Sequence, residues 1–336
     1  MSQHDTAGPT ISPERYAEIA AEIEGEVGKV IVGQDQLVRT VVTCLLAEGH
    51  ALLEGVPGLG KTMLLKALSE AVDLPFSRVQ FTPDLMPADI VGTQVLEEDD
   101  RGHKTFQFRP GPVFASFVLA DEVNRATPKT QSALLEAMQE RQITVGGHTR
   151  ALPELFMVMA TQNPIEQAGT YPLPEAQLDR FMLHVSLGYP DEAEEREILR
   201  RDQARLRGER AAATPPVMDV AGVLAARKAV HQVHLAEPVE AYIVALVRST
   251  RQPGDWRPEW TNAVEVGASP RASLALSHAS AALAYLRGRD YVTPDDVREM
   301  APDVLRHRLT LSLEARLQHL DRDALIAGLI AAIPAP

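Results

Sequence analysis

The run Gly55-Val56-Pro57-Gly58-Leu59-Gly60-Lys61-Thr62 holds the residue types that a bound polyphosphate requires. Glycines let successive backbone N–H groups curl around phosphate oxygens, and a helix that starts where the run ends turns its positive pole toward them. Lys61 would then neutralise the β and γ phosphates, and the Thr62 hydroxyl would hold Mg²⁺. The apolar stretch Ala51 to Leu53 comes just before, and the amphipathic run Met63 to Ala71 just after. Strand, loop and helix therefore appear in the order such a site needs.

Phe117 to Ala120 is a second apolar stretch, and it ends in the carboxylates Asp121 and Glu122. Ligands of a parallel sheet sit beyond the carboxyl ends of its strands, so this pair can share a crevice with the phosphate loop. Asp121 would hold Mg²⁺, directly or through water, and Glu122 would act as general base on an attacking water. A third stretch, Met157 to Ala160, leads into Thr161-Gln162-Asn163-Pro164. Asn163 has a donor and an acceptor with which to align that water; the plainer reading is a turn residue before proline. Two arginines remain open between two roles. Arg180, in Leu178-Asp179-Arg180-Phe181, is either an arginine finger that meets charge spreading over the γ-phosphate or a partner in a surface salt bridge. Arg271, at the start of a helix in Ala268-Ser269-Pro270-Arg271, either reaches the same phosphate across the cleft or is a solvated helix terminus.

These residues need a sheet to carry them. Five short apolar runs read as strands, namely Ala51 to Leu53, Phe76 to Phe81, Phe117 to Ala120, Leu155 to Ala160 and Met182 to Leu187. They alternate with helical patterns up to about Tyr189, which predicts a three-layer α/β domain with a parallel sheet. Beyond Pro190 strand signals vanish and helical periodicity takes over, giving a division into residues 1–189 and a small helical domain at 190–336. Breaks are expected at Gly208 to Pro216, Gln252 to Ala268 and Arg287 to Tyr291. Ser12 with Pro13 marks one helix start, and Thr293, Pro294 and Asp296 form a capping box at another. Two hairpins interrupt the α/β part: Thr93 to Leu96 with Lys104 to Phe108, and Gln142 to Val145 with His148 to Leu152 around Gly146-Gly147. The first few residues are expected to be disordered.

The chain has 336 residues, 45% of them hydrophobic, and a formal net charge of -13. Such acidity gives no overall attraction to phosphate backbones or anionic lipid, and it argues against a dedicated nucleic-acid binder. Apolar runs such as Leu325 to Ile333 fall short of a membrane span, and Met1 to Thr10 does not read as a signal peptide, so a cytoplasmic protein is expected. Cys44 is the single cysteine and lies in an apolar helical stretch, which excludes an internal disulfide and predicts a buried thiol.

Taken together, these stretches resemble the MoxR group of AAA+ ATPases, over about Val30 to Leu311. The likeness rests on Val32-Gly33-Gln34, the phosphate loop, Phe108-Arg109-Pro110-Gly111-Pro112, Ala120-Asp121-Glu122-Val123-Asn124-Arg125-Ala126, Gln131 to Met138, Ala160 to Pro164 and Leu173 to Phe181. It implies a five-stranded AAA+ core, a helical lid, and ATP sites shared between adjacent subunits of a homo-oligomeric ring, commonly a hexamer. It further implies that Ile31, Val32 and Gly33 flank the adenine and that Pro57, Gly58, Leu59, Gly60 and Met63 complete the nucleotide contacts. By the same resemblance Asn163 is the sensor 1 residue, Arg180 the finger supplied in trans, and Arg271 the sensor 2 arginine. The hairpins correspond to the helix 2 insert and the hairpin before sensor 1, which in this clade face the pore or the substrate.

Proteins of the group are thought to mature or remodel protein complexes as chaperones, often with a partner carrying a von Willebrand factor A (VWA) domain. No Asp-x-Ser-x-Ser pattern occurs in this chain, so such a partner would be a separate polypeptide. Competing expectations are a DNA-dependent motor, a magnesium-chelatase-type motor subunit, and a nucleotide-binding regulator without turnover, which the presence of Glu122 disfavours. A GTPase is disfavoured because no Asn-Lys-x-Asp motif occurs.

Overall fold

The computed structural model describes residues 12–55, 60–98, 103–162, 169–207 and 216–336. The expectations for the first residues, for Pro57, Gly58 and Leu59, and for Asn163 fall outside them. Ser12 accepts the Arg15 N–H at 3.3 Å and Pro13 fills the first helical position, so α1 (Pro13–Val30) begins at its sequence signal. Tyr16, Ile19, Ile23 and Val27 recur at helical spacing and form its buried face. The next helix, α2 (Asp35–Leu46), buries Cys44.

The α/β part then runs β1 (Ala51–Gly55), α3 (Lys61–Ala71), β2 (Phe76–Gln80), α4 (Pro87–Val91), β3 (Gly92–Glu98), β4 (Lys104–Pro110), β5 (Phe117–Asp121) and α5 (Pro128–Glu140). It continues through β6 (Gln142–Val145), β7 (His148–Ala151), β8 (Met157–Gln162), α6 (Glu175–Leu178) and β9 (Leu183–Leu187). All five expected strands pair into one parallel sheet, in the order β2-β5-β8-β1-β9. Successive side chains of a strand point to opposite faces, and the core divides accordingly. Phe117, Leu119, Met157 and Met159 join the apolar cluster on one face, whereas Val118, Ala120, Val158 and Ala160 join the cluster on the other.

Both hairpins form, β3 with β4 and β6 with β7. Gly146 and Gly147 have φ of 60° and 77°, as a two-residue turn with both central φ positive requires. The hairpins touch each other: the Arg150 guanidinium lies 4.0 Å over the Phe108 ring.

The second half contains α7 (Glu192–Leu206), α8 (Val220–Val230), α9 (Glu237–Ser249), β10 (Val264–Val266), α10 (Pro270–Leu286), α11 (Pro294–Leu305), β11 (Thr310–Leu311), α12 (Leu313–Leu317) and α13 (Arg322–Ala332). The Thr293 and Asp296 capping box is formed. One expectation is corrected: strands do not vanish after Pro190, because β10 and β11 pair antiparallel. Three residues against two give too little alternation to stand out from the surrounding turns. This helical half shares a continuous apolar cluster with α1, α2 and α3, so one face of the sheet is covered from both ends of the chain. Among the described residues no helix is long and apolar enough to cross a membrane.

Candidate active site

Gly55 closes β1, and the Lys61 ammonium folds back to donate to its carbonyl at 2.5 Å. Gly60 caps α3 with φ +70°, a left-handed value that glycine adopts without strain. Gly60 has no side chain with which to bond the first-turn N–H groups, which suits this end of the helix to an anionic ligand. Burial pulls the Lys61 pKa down, while Asp121, Glu122 and Glu54 act to raise it. The cation thus sits in an acidic basin. Thr62 is half-buried in the first turn of α3, with Met63 exposed beside it.

Strands β1 and β5 flank β8, so their carboxyl ends lie about 10 Å apart and open on one crevice. Asp121 ends β5 with both oxygens engaged: Oδ1 accepts the Thr161 hydroxyl at 2.7 Å, and Oδ2 accepts Arg78 Nη2 at 2.6 Å. Thr161 also accepts the Glu122 N–H at 2.8 Å. Glu122 is left-handed at φ 55°, a conformation that costs a non-glycine residue about 1–2 kcal/mol. Its carboxylate Oε2 accepts Gln80 Nε2 at 2.8 Å and Arg125 Nη1 at 2.9 Å.

Arg78, Gln80, Thr161 and Arg125 were not singled out by the sequence reading. A signal existed for three of them. Arg78 and Gln80 alternate on β2 beside apolar Val79, and Thr161 directly precedes the polar group that drew attention to Asn163.

Ile31, Val32 and Gly33 follow α1. The Ile31 Cδ1 atom lies 3.9 Å from where a Cβ on Gly60 would stand, which sets it beside the amino end of α3. Gly33, at φ +72°, lies against Glu194 of α7, where a Cβ would overlap the carboxylate. Arg201 of α7 donates to the Gly28 and Lys29 carbonyls at 2.8 and 2.9 Å and ties that helix to the end of α1.

Arg180 and Arg271 stand elsewhere. Arg180 precedes β9 and donates to the Leu135 carbonyl at 2.7 Å, and Arg271 approaches Asp179 at 3.5 Å. Together with Gly49, His50 and Arg141 they line a cleft of about 450 Å³ at the amino ends of the strands. The strand from Ala51 to Gly55 separates this rim from Lys61 by about 13 Å of backbone alone. Arg271, which the sequence left open between a phosphate contact and a solvated helix terminus, thus stands at the rim opposite its own chain's Lys61. Ser269 and Arg271, at the start of α10, meet Asp179 just before β9.

Residues 50–183 match the family model for the ATPase family associated with various cellular activities (AAA), and residues 261–327 match the AAA lid domain. The chain is 45% identical to Chaperone MoxR1 of Mycobacterium tuberculosis over 93% of this chain and 81% of that protein. It is 33% identical to Protein MoxR of Methylorubrum extorquens over 96% of each. The chain belongs to the MoxR family of AAA ATPases. A crystal structure from Cytophaga hutchinsonii, provisionally named an ATPase, superposes with a TM-score of 0.89 at 41% identity, covering 96% of this chain and 97% of that one. The five-stranded core and the helical lid are thus those of the AAA fold.

Proposed function

We propose that this MoxR-family chain hydrolyses ATP with Mg²⁺, residues 1–189 forming the nucleotide core and residues 190–336 the lid. The observation that carries this reading is the sorting of charged groups to two rims: Lys61, Asp121 and Glu122 at one, Arg180 and Arg271 at the other. An uncapped α3 amino end behind Lys61, with Asp121 and Thr62 as oxygen donors nearby, suits a metal-bound triphosphate. Mg²⁺ supplies charge neutralisation of the phosphate oxygens when bound. Lys61 binds and orients the β and γ phosphates, and Glu122 takes the proton of the attacking water. Asn163 aligns that water, and Ile31, Val32 and Gly33 flank the adenine.

Because Arg180 and Arg271 are remote from Lys61 of their own chain, they serve the nucleotide of an adjacent copy. That requires a ring of identical subunits, and a hexamer is the expected form. The work done is the remodelling or maturation of a protein client, together with a separate VWA-domain partner. A relative named as a chaperone at 45% identity supports this. Cytoplasmic location belongs to the same proposal.

The test is Glu122→Gln. The variant is expected to bind ATP and Mg²⁺ and to retain unhydrolysed nucleotide through gel filtration, whereas Lys61→Ala binds none. Parental turnover in Glu122→Gln would show that another group is the base.

A further inference from the structure

The short segment between α6 and β9 that bears Arg180 is held by the lid. Arg308, in the turn after α11, has a side chain only 3% exposed. Its Nε donates to Asp179 Oδ1 at 2.7 Å, Nη2 to the Phe181 carbonyl at 2.7 Å, and Nη1 to the Met182 carbonyl at 3.1 Å. Nη1 also donates to the Val304 carbonyl, which fixes the guanidinium to its own helix. The second oxygen of Asp179 accepts the Ser269 hydroxyl at 3.0 Å and faces Arg271 Nε at 3.5 Å. His307 adds a contact to the Phe181 carbonyl at 2.9 Å.

One carboxylate, adjacent in sequence to Arg180, thus gathers three groups of the lid, and the backbone on either side of Arg180 rests on lid donors. A planar fork with several donors fixes direction as well as distance. The Arg180 side chain itself points to the Leu135 carbonyl of α5 and takes no part in this bonding.

We propose that Asp179 and Arg308 are positioning residues that fasten the lid to the segment bearing Arg180, so that Arg180 and Arg271 are presented to a neighbouring subunit's nucleotide as one rigid pair. The inference rests on the reading that these arginines act in trans. In this role Asp179 and Arg308 act through Arg180 and Arg271, to which their hydrogen bonds give a fixed base. Any motion of α10 and α11 is carried into the finger through this pair, which makes the lid of one subunit a determinant of turnover in the next.

The experiment uses the full chain with ATP and Mg²⁺. Asp179→Asn and Arg308→Lys are each expected to keep KM within about twofold and to lower kcat by about a hundredfold, the usual effect of misplacing a catalytic group by an ångström. Mixing either variant with Lys61→Ala subunits is expected to restore turnover, since the Lys61→Ala subunit donates an intact finger to the variant's own sound phosphate loop. A defect that acts within its own subunit is not rescued in this way. Arg180→Ala mixed with Lys61→Ala runs in parallel. If that pair shows no rescue, the trans reading fails; if it is rescued while Asp179→Asn and Arg308→Lys turn over at the parental rate or are not rescued, the positioning role fails. Should Asp179→Asn lose its melting transition, Asp179→Glu, which keeps the charge and moves it by one methylene, replaces it with the same expectation, and parental kcat in that variant overturns the proposal.

Discussion

Arg78 and Asp121 face each other across neighbouring strands, with guanidinium Nη2 2.6 Å from carboxylate Oδ2. The arginine occupies an oxygen that a divalent cation would use, so the two compete for one carboxylate. Arg78 is half exposed, and solvent limits such a pair to about 1 kcal/mol, or roughly fivefold in affinity. Arg78→Met is therefore expected to lower the Mg²⁺ concentration for half-maximal turnover by about two- to fivefold. An increase in that concentration, read from a Mg²⁺ titration at fixed ATP, would show that Arg78 supports the cation site and does not compete for it.

Thr161 links the two carboxylate residues by donating to Asp121 and accepting from the Glu122 N–H, which helps hold Glu122 in its left-handed conformation. Thr161→Val keeps the shape and removes both bonds. A buried N–H left without an acceptor costs about 1–3 kcal/mol, and relief of the backbone strain would let Glu122 swing away. Turnover is expected to fall by tenfold or more on the order of that energy, with ATP affinity nearly unchanged. Loss of affinity in equal proportion, measured by calorimetry, would place the Thr161 effect on binding.

The strands and the start of α3 were legible because their signals are local. Leu52, Val118 and Val158 sit in runs covered on both faces, and α3 begins at Lys61, shortly after β1 ends at Gly55. Contacts made through the sheet were not legible, since Arg78 meets Asp121 and Thr161 meets Glu122 only once the order β2-β5-β8 is known. The rim assignment of Arg180 could have been read. Lys61 and Glu122 follow their strands whereas Arg180 precedes its own, and in a parallel sheet that puts them at opposite ends. Arg271 carried no such signal, because its place depends on how α10 packs against α1 and α2.

Asp296 offers a test of what holds the lid together. Its side chain is wholly buried and accepts Arg289 at 2.6 and 2.8 Å, Arg287 at 3.0 Å and the Thr293 N–H at 2.8 Å. These partners hold its carboxyl below the usual range even though burial pushes the other way. Asp296→Asn keeps the volume and leaves Arg289 without its counter-charge, while Arg287 keeps Glu299 at 2.5 Å. A loss of about 3 kcal/mol is expected, the lower end for a broken buried pair because both arginines retain some solvent. Urea unfolding followed by circular dichroism would detect it, and a midpoint within error of the parent would mean that the arginines find other partners.

His50 makes the fold acid-sensitive in a stated window. Val158 donates its N–H to Nδ1 at 2.9 Å, so the ring is neutral with its proton on Nε2, which is 3.2 Å from the Met138 carbonyl. Burial lowers the His50 pKa from 6.5 to about 4, against the Met138 hydrogen bond and with a small push from the Arg141 and Arg227 charges. Between those values the unfolded chain binds a proton that the folded chain refuses. Stability contributed by the neutral ring is therefore present above pH 6.5 and is lost as pH falls toward 4, by about 3 kcal/mol in all. His307, also buried and also shifted well downward, adds a slope of the same sign. His50→Gln, whose amide does not titrate, is expected to be less stable at pH 7.5 and to lose less stability on acidification, keeping the part due to the other shifted groups, His307 and His278 among them. Parallel pH profiles for parent and variant, from urea midpoints between pH 7.5 and 4.5, would show that His50 is protonated in the fold without penalty.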